Sequence, residues 1–183
     1  MSTHSARILK LTLAALCLAL CMVLPFLTGQ IPEIGSMLCP MHIPVLLCGF
    51  LCGPAWAAVV GAVAPLLRFM IFGMPPLFPV GVSMCVELAT YGAVSGLLYH
   101  ALPRKPLYVY ASLIAAMLAG RVVWGVVRLV LSGVNGTAFT WAAFMAGAFT
   151  QAIPGIILHI VLIPVIVLAL QLQKALPWLK GHH

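Results

Sequence analysis

The sequence predicts an all-α integral membrane protein, a bundle of about six helices, and composition, hydropathy and segment length carry that expectation. Hydrophobic residues make up 64% of the chain and charged residues only 6%. Mean hydropathy is +1.20, and apolar stretches repeatedly exceed the roughly 18 residues that read as a membrane span. A soluble domain of this length would carry about 25% charged residues, so a solvated globular fold is excluded. The net charge of +7 does not indicate nucleic acid, because the basic residues do not cluster on one helix with interleaved aromatics. Residues 1–183 are read as a single membrane domain.

Apolar segments place the helices at about 8–28, 41–53, 54–72, 79–101, 106–132 and 141–173. The first has a basic start like a signal peptide. It exceeds a typical signal core and lacks a clear small-residue cleavage site, so it is read as a retained span. The second, between Pro40 and Pro54, reaches only about 18 Å, short of the hydrocarbon thickness, and reads as a half-span or re-entrant segment. Gly53-Pro54 opens the third, and Gly73 to Pro79 separates it from the fourth. Pro103 and Pro106 bracket the next connection, and Gly133 to Gly136 precedes the sixth. No stretch is long enough for a disordered linker, and no internal repeat is evident.

Charge placement orients the bundle. Arg7 and Lys10 precede the first helix, Arg104 and Lys105 lie between the fourth and fifth, and Lys174 and Lys180 follow the sixth. With alternating spans these share one side, so both termini are expected to be cytoplasmic. The opposite loops, about 29–40, 73–78 and 133–140, carry only Glu33 as a formal charge.

Arg68, Arg121 and Arg128 lie inside or at the end of membrane-length segments. A charge at that depth costs several kcal/mol unless it faces a cavity, a partner or the interface, which makes such residues functional candidates. At 1.5 Å per residue, Arg68 stands about 21 Å along the third helix, and Arg121 and Arg128 about 22 and 33 Å along the fifth, all in the outer half. Arg121 and Arg128 are about two turns apart and share a face with Trp124 between them. Glu87 enters to a comparable depth on the fourth helix, as does Gln151 on the sixth, with His159 deeper. Two structural roles compete with ligand binding: an ion pair with Glu87 would account for one arginine, and snorkelling to the interface for Arg128. One carboxylate still leaves surplus guanidinium charge, which an anionic ligand with a carboxylate would satisfy.

The outward loops supply further candidates. Gly73-Met74-Pro75-Pro76-Leu77-Phe78-Pro79 cannot continue a helix and reads either as a stiff apolar lid or as a plain turn. Between Pro40 and Pro44, His42 stands at a helix start, where free backbone N–H groups favour anions; a capping role is the alternative. Asn135 is a polar candidate in an ordinary turn dipeptide. On the first helix Ala15 and Ala19, with Ala14 beside them, form a small-residue stripe suited to close helix approach, a spacing repeated at Gly49/Gly53 and Gly92/Gly96. The glycine pairs are read as internal packing.

The segments Cys39-Pro40-Met41-His42-Ile43-Pro44-Val45-Leu46-Leu47-Cys48-Gly49-Phe50, Gly53-Pro54, Gly73-Met74-Pro75-Pro76 and Glu87-Leu88-Ala89-Thr90-Tyr91-Gly92 resemble the substrate-binding S components of energy-coupling factor (ECF) transporters. The resemblance spans roughly residues 8–173. It implies a six-helix bundle of the S-component type, a multi-pass protein of a bacterial-type plasma membrane that binds a vitamin or related micronutrient at its outer face. It further implies association with a transmembrane coupling subunit, through Ala15 and Ala19, and with two cytoplasmic ATPases. The three outward loops would gate the ligand. Guanidinium chemistry and a segment similar to the LxPMH of pantothenate-type members favour a carboxylate such as pantothenate. Folate suits the charge but needs a larger aromatic platform, riboflavin is uncharged, and thiamine is a cation that would meet surplus positive charge; queuosine precursors remain open.

Other classes fit less well. A stand-alone secondary transporter would be larger and built from repeats. No G-x-x-x-x-G-K-[ST] phosphate loop is present, so the chain is not the ATPase and ATP hydrolysis would come from partners; an intramembrane enzyme would need a nucleophile and base or a metal constellation, so the chain is not expected to be an enzyme. The histidines are scattered without H-E-x-x-H, and Cys17/Cys21 and Cys48/Cys52 lack a complementary pair, so no metal or cofactor is expected. The thiols read as small apolar residues.

Overall fold

A computed structural model gives the fold and describes residues 3–28, 31–103, 105–134, 136 and 138–173. Arg104, Asn135, Lys174 and Lys180 lie outside the described residues. Every regular element among those described is helical. In order they are α1 (Thr3–Val23), a tighter turn at Leu24–Thr28, α2 (Pro32–Leu38), α3 (His42–Cys52), α4 (Pro54–Phe72), α5 (Val82–Ala101), α6 (Pro106–Val134), α7 (Trp141–Met145) and α8 (Ile153–Leu172). Five apolar runs are long enough to cross a bilayer: His4–Leu27, Pro54–Phe72, Leu77–Ala101, Pro106–Val134 and Trp141–Leu172. Together with the shorter α3 they match the expected membrane bundle.

The doubtful second segment has a clear place. All of α3, His42 to Cys52, is buried. A helix apolar all round belongs inside a bundle, and α3 packs against α1, α4, α5 and α8. Its short length is tolerable because its ends meet protein rather than hydrocarbon.

Helix α5 is the packing centre, in contact with α3, α4 and α6. Its glycines explain how. A Cβ on Gly92 would fall 2.6 Å from the Ala57 carbonyl carbon, and one on Gly96 would fall 2.6 Å from Pro54 N. Helix α4 therefore lies against bare α5 backbone, the close approach that small residues permit in membranes. Gly53, at φ 98°, makes the sharp passage from α3 to α4, a conformation that costs glycine little.

Two elements differ from expectation. The connection between the first two expected segments contains the short helix α2, with Pro32 in its first turn, and it docks on α8 beside Gly155, where a Cβ would fall 2.6 Å from Met37 O. The expected continuous helix at 141–173 is interrupted. Thr140 Oγ1 caps α7 by accepting from Ala143 N–H at 3.2 Å. The chain then widens into a turn in which Gln151 N–H donates to Ala146 O at 2.9 Å. Pro154 sits in the first turn of α8; it has no N–H to continue the ladder of the preceding helix, so a new helix begins there.

Between α4 and α5, Gly73 ends the helix with its N–H on Phe69 O at 2.8 Å, and Gly81 N–H closes a wide turn on Pro76 O at 2.9 Å. The Met74–Pro75 and Phe78–Pro79 peptide bonds are cis.

Replacing Gly92 by alanine is expected to force α4 and α5 apart at a cost of about 1–3 kcal/mol. The thermal unfolding midpoint of the detergent-solubilised protein should fall. Gly133→Ala, where a Cβ meets nothing within 4 Å, serves as the unaffected control.

Candidate functional site

A cavity of about 420 Å³ opens where four connections and helix ends converge, a size within the range of small-molecule sites. Cys39 lines it from the end of α2, Met41 and His42 from the start of α3, Arg68 from α4, and Met74, Pro75 and Pro76 from the α4–α5 turn. Met84 and Glu87 contribute from α5, Arg121 and Trp124 from α6, and Gly147 and Gln151 from the α7–α8 connection.

Glu87 anchors one wall. It is 2% exposed, and its Oε1 accepts from Arg121 Nη1 at 3.0 Å and from the Tyr91 hydroxyl at 3.1 Å. His42 Nε2 stands 3.5 Å from the same oxygen. Arg121 Nη2 also donates to Cys39 Sγ at 3.6 Å. Cys39 itself ends α2 in the left-handed region, at φ 47° and ψ 52°, a conformation uncommon outside glycine and asparagine.

The His42 ring packs edge-on to Tyr91 at 5.1 Å and stacks on His159 at 6.0 Å. Both histidines are buried, and neither nitrogen of His42 nor Nε2 of His159 has a hydrogen-bond partner.

Arg68 belongs to a different wall. Its Nη1 donates to Met22 O, near the end of α1, at 2.9 Å. Its guanidinium lies 5.1 Å from the Phe72 ring centre and 5.5 Å from that of Phe26, within the range of cation–π attraction. Among the described side chains it has no carboxylate partner. Among the described side chains, the cavity wall thus holds the guanidiniums of Arg68 and Arg121 against the single carboxylate of Glu87, one surplus positive charge.

Of the residues singled out from sequence, Arg68, Arg121, Glu87, His42, Trp124 and Gln151 come together at this cavity. Arg128 does not. It shares a face of α6 with Arg121 but stands about 10 Å further along the axis. There its guanidinium lies 5.9 Å from the ring centres of both Trp124 and Phe139. Its Nε and Nη1 are buried without hydrogen-bond partners, so those atoms do not snorkel to water. Asn135 lies outside the described residues. On α1, Ala15 and Ala19 are exposed, whereas Ala14 turns into the bundle.

Sequence reading missed two members of the Glu87 network. Tyr91 carries a signal, since its spacing from Glu87 puts both on one helical face. Cys39 carries none, because its sulfur reaches Arg121 only through the αL backbone at the end of α2. Among the described residues no cluster of His, Cys, Asp or Glu is placed to hold a metal.

Apolar helices of membrane length around a cavity of small-molecule size, with an ion pair in its wall, describe a membrane-embedded binding protein. The family comparison narrows this: the model for "ECF transporter, substrate-specific component" matches residues 9–167. The chain belongs to that family, as a multi-pass plasma membrane protein that binds substrate for an ECF transporter. No curated protein and no solved structure matches the chain.

Glu87→Leu would leave Arg121 buried and unpaired, at a cost of about 3–5 kcal/mol. The thermal midpoint is expected to drop sharply, and the double variant Glu87→Leu/Arg121→Met should recover most of the loss. Equal destabilisation by the single and double variants would show that the pair is not coupled.

Proposed function

We propose that this S component binds a carboxylate-bearing micronutrient, with pantothenate as the leading candidate, and delivers it to an energising module. The observation that carries this reading is Arg68: a buried guanidinium on the cavity wall, held by a carbonyl and two rings, with the only described carboxylate engaged elsewhere. A ligand carboxylate supplies the missing charge and accepts bidentate hydrogen bonds from the guanidinium plane. Trp124 offers an aromatic wall, and Gln151 a polar contact near the mouth. Met74, Pro75 and Pro76 supply an apolar lid on a stiff backbone.

The whole chain works as one membrane domain with cytoplasmic termini, and the cavity faces outward. Energy comes from partners: a transmembrane coupling subunit and two cytoplasmic ATPases. The exposed Ala15 and Ala19 face of α1 is the docking surface for the coupling subunit, since small residues let a partner helix approach closely.

Radiolabelled pantothenate should bind the purified protein, and Arg68→Ala should weaken binding by at least about tenfold, the loss expected when a charge-assisted hydrogen bond is removed. Retained affinity in Arg68→Ala would sink the arginine reading. In cells carrying an energising module, Ala15→Trp and Ala19→Trp should abolish uptake while the purified variants bind ligand normally. Uptake that survives both substitutions would place the docking surface elsewhere.

A further inference from the structure

The cavity wall has two chemically different poles. At one, Arg68 is held by Met22 O and the rings of Phe26 and Phe72. At the other, Glu87 is held by Arg121 and Tyr91, with His42 beside it. The two sets of partners do not overlap: the first comes from α1, its following turn and α4, the second from α3, α5 and α6.

Arg121 lines the cavity, yet its charge is already matched by Glu87 at 3.0 Å, so it is not a second open anion site. The three contacts at Glu87 converge on Oε1 and leave Oε2 out. His42 is 4% exposed and lines the cavity, with neither ring nitrogen hydrogen-bonded. An ionised carboxylate only accepts hydrogen bonds, and a neutral imidazole both donates and accepts.

We infer that the site reads both ends of its ligand: Arg68 takes a carboxylate, and Glu87 with His42 takes an uncharged hydroxyl. This rests on the carboxylate reading above and narrows it to a compact hydroxylated monocarboxylate. Glu87 and His42 are then the specificity-determining residues. A dicarboxylate is disfavoured because its second charge meets Glu87 inside a water-poor wall. A plain aliphatic carboxylate is disfavoured because it leaves the polar atoms of that wall unpaired, the kind of loss by which hydrogen-bonding sites reject analogues.

The test uses the full chain in lipid nanodiscs and two probe series. One pairs pantothenate with the analogue in which both hydroxyls are replaced by hydrogen. The other compares gluconate, hexanoate and adipate, a polyhydroxy monoanion, a plain monoanion and a dianion of equal chain length. Pantothenate is expected to bind at least about tenfold more tightly than its deoxygenated analogue, and gluconate to raise the thermal midpoint more than hexanoate or adipate. His42→Phe should narrow the gap between hydroxylated and plain members, and Glu87→Gln should narrow the gap between gluconate and adipate. If Glu87→Gln does not fold, His42→Phe carries the comparison.

Equal binding of hydroxylated and plain probes, or adipate preferred over gluconate, overturns the two-pole inference and leaves the carboxylate reading standing. Silence toward pantothenate with gluconate preferred over hexanoate overturns pantothenate and supports the two poles. Silence toward every probe overturns both.

Discussion

The buried contact between Glu87 and Arg121 is the constraint around which this bundle is arranged. Two charges withdrawn from water lose several kcal/mol of hydration each, and their attraction offsets that loss only when the geometry is close and the remaining polar atoms are engaged. Here Tyr91 donates to the same oxygen and Cys39 accepts from the same guanidinium. The pair therefore acts less as a source of stability than as a register mark. Should α5 and α6 slide past one another, both charges would be stranded in an apolar interior. Helix α5 is also the element that α3 and α4 lean on, so the position of one carboxylate propagates to most of the structure.

The same helix separates two kinds of surface. Around Gly92 and Gly96 it presents bare backbone, and α4 fills the space to van der Waals contact. Toward the cavity it presents Met84 and Glu87, and connections between helices join α3, α4 and α6 in lining the space there. Close packing at one level and bent, proline-rich chain at the other are how a small bundle holds a void without collapsing into it. The interrupted α7–α8 segment belongs to this pattern: freed of a continuous ladder, the backbone brings Gly147 and Gln151 to the cavity.

Much of this was legible in the sequence, and the misses have physical causes. Hydropathy and proline placement located the membrane segments, because both signals are local. Depth counted along helices brought Arg68, Glu87, Arg121 and Gln151 to one level, because an axial rise of about 1.5 Å per residue holds in any straight helix. Hydropathy could not see the break before α8, since the residues on both sides of Pro154 are apolar and only the backbone changes. Helix α2 was hidden for the opposite reason: its proline, glycine and serine read as loop, while in the fold it packs closely against α8 at Gly155. Arg128 shares a face with Arg121 but lies about 10 Å further along the helix, and it is not among the residues that line the cavity. Tertiary contact also decided which arginine met the carboxylate, something charge counting left open.

Cys39 ties two parts of the molecule together through one strained residue. Its backbone, turned to φ 47°, ends the short helix α2, while its sulfur accepts from Arg121. Helix α2 lies over the cavity side of the bundle and rests on α8 by a glycine contact. The end of the short helix and the charged wall of the cavity therefore share one residue, its backbone belonging to the first and its sulfur to the second.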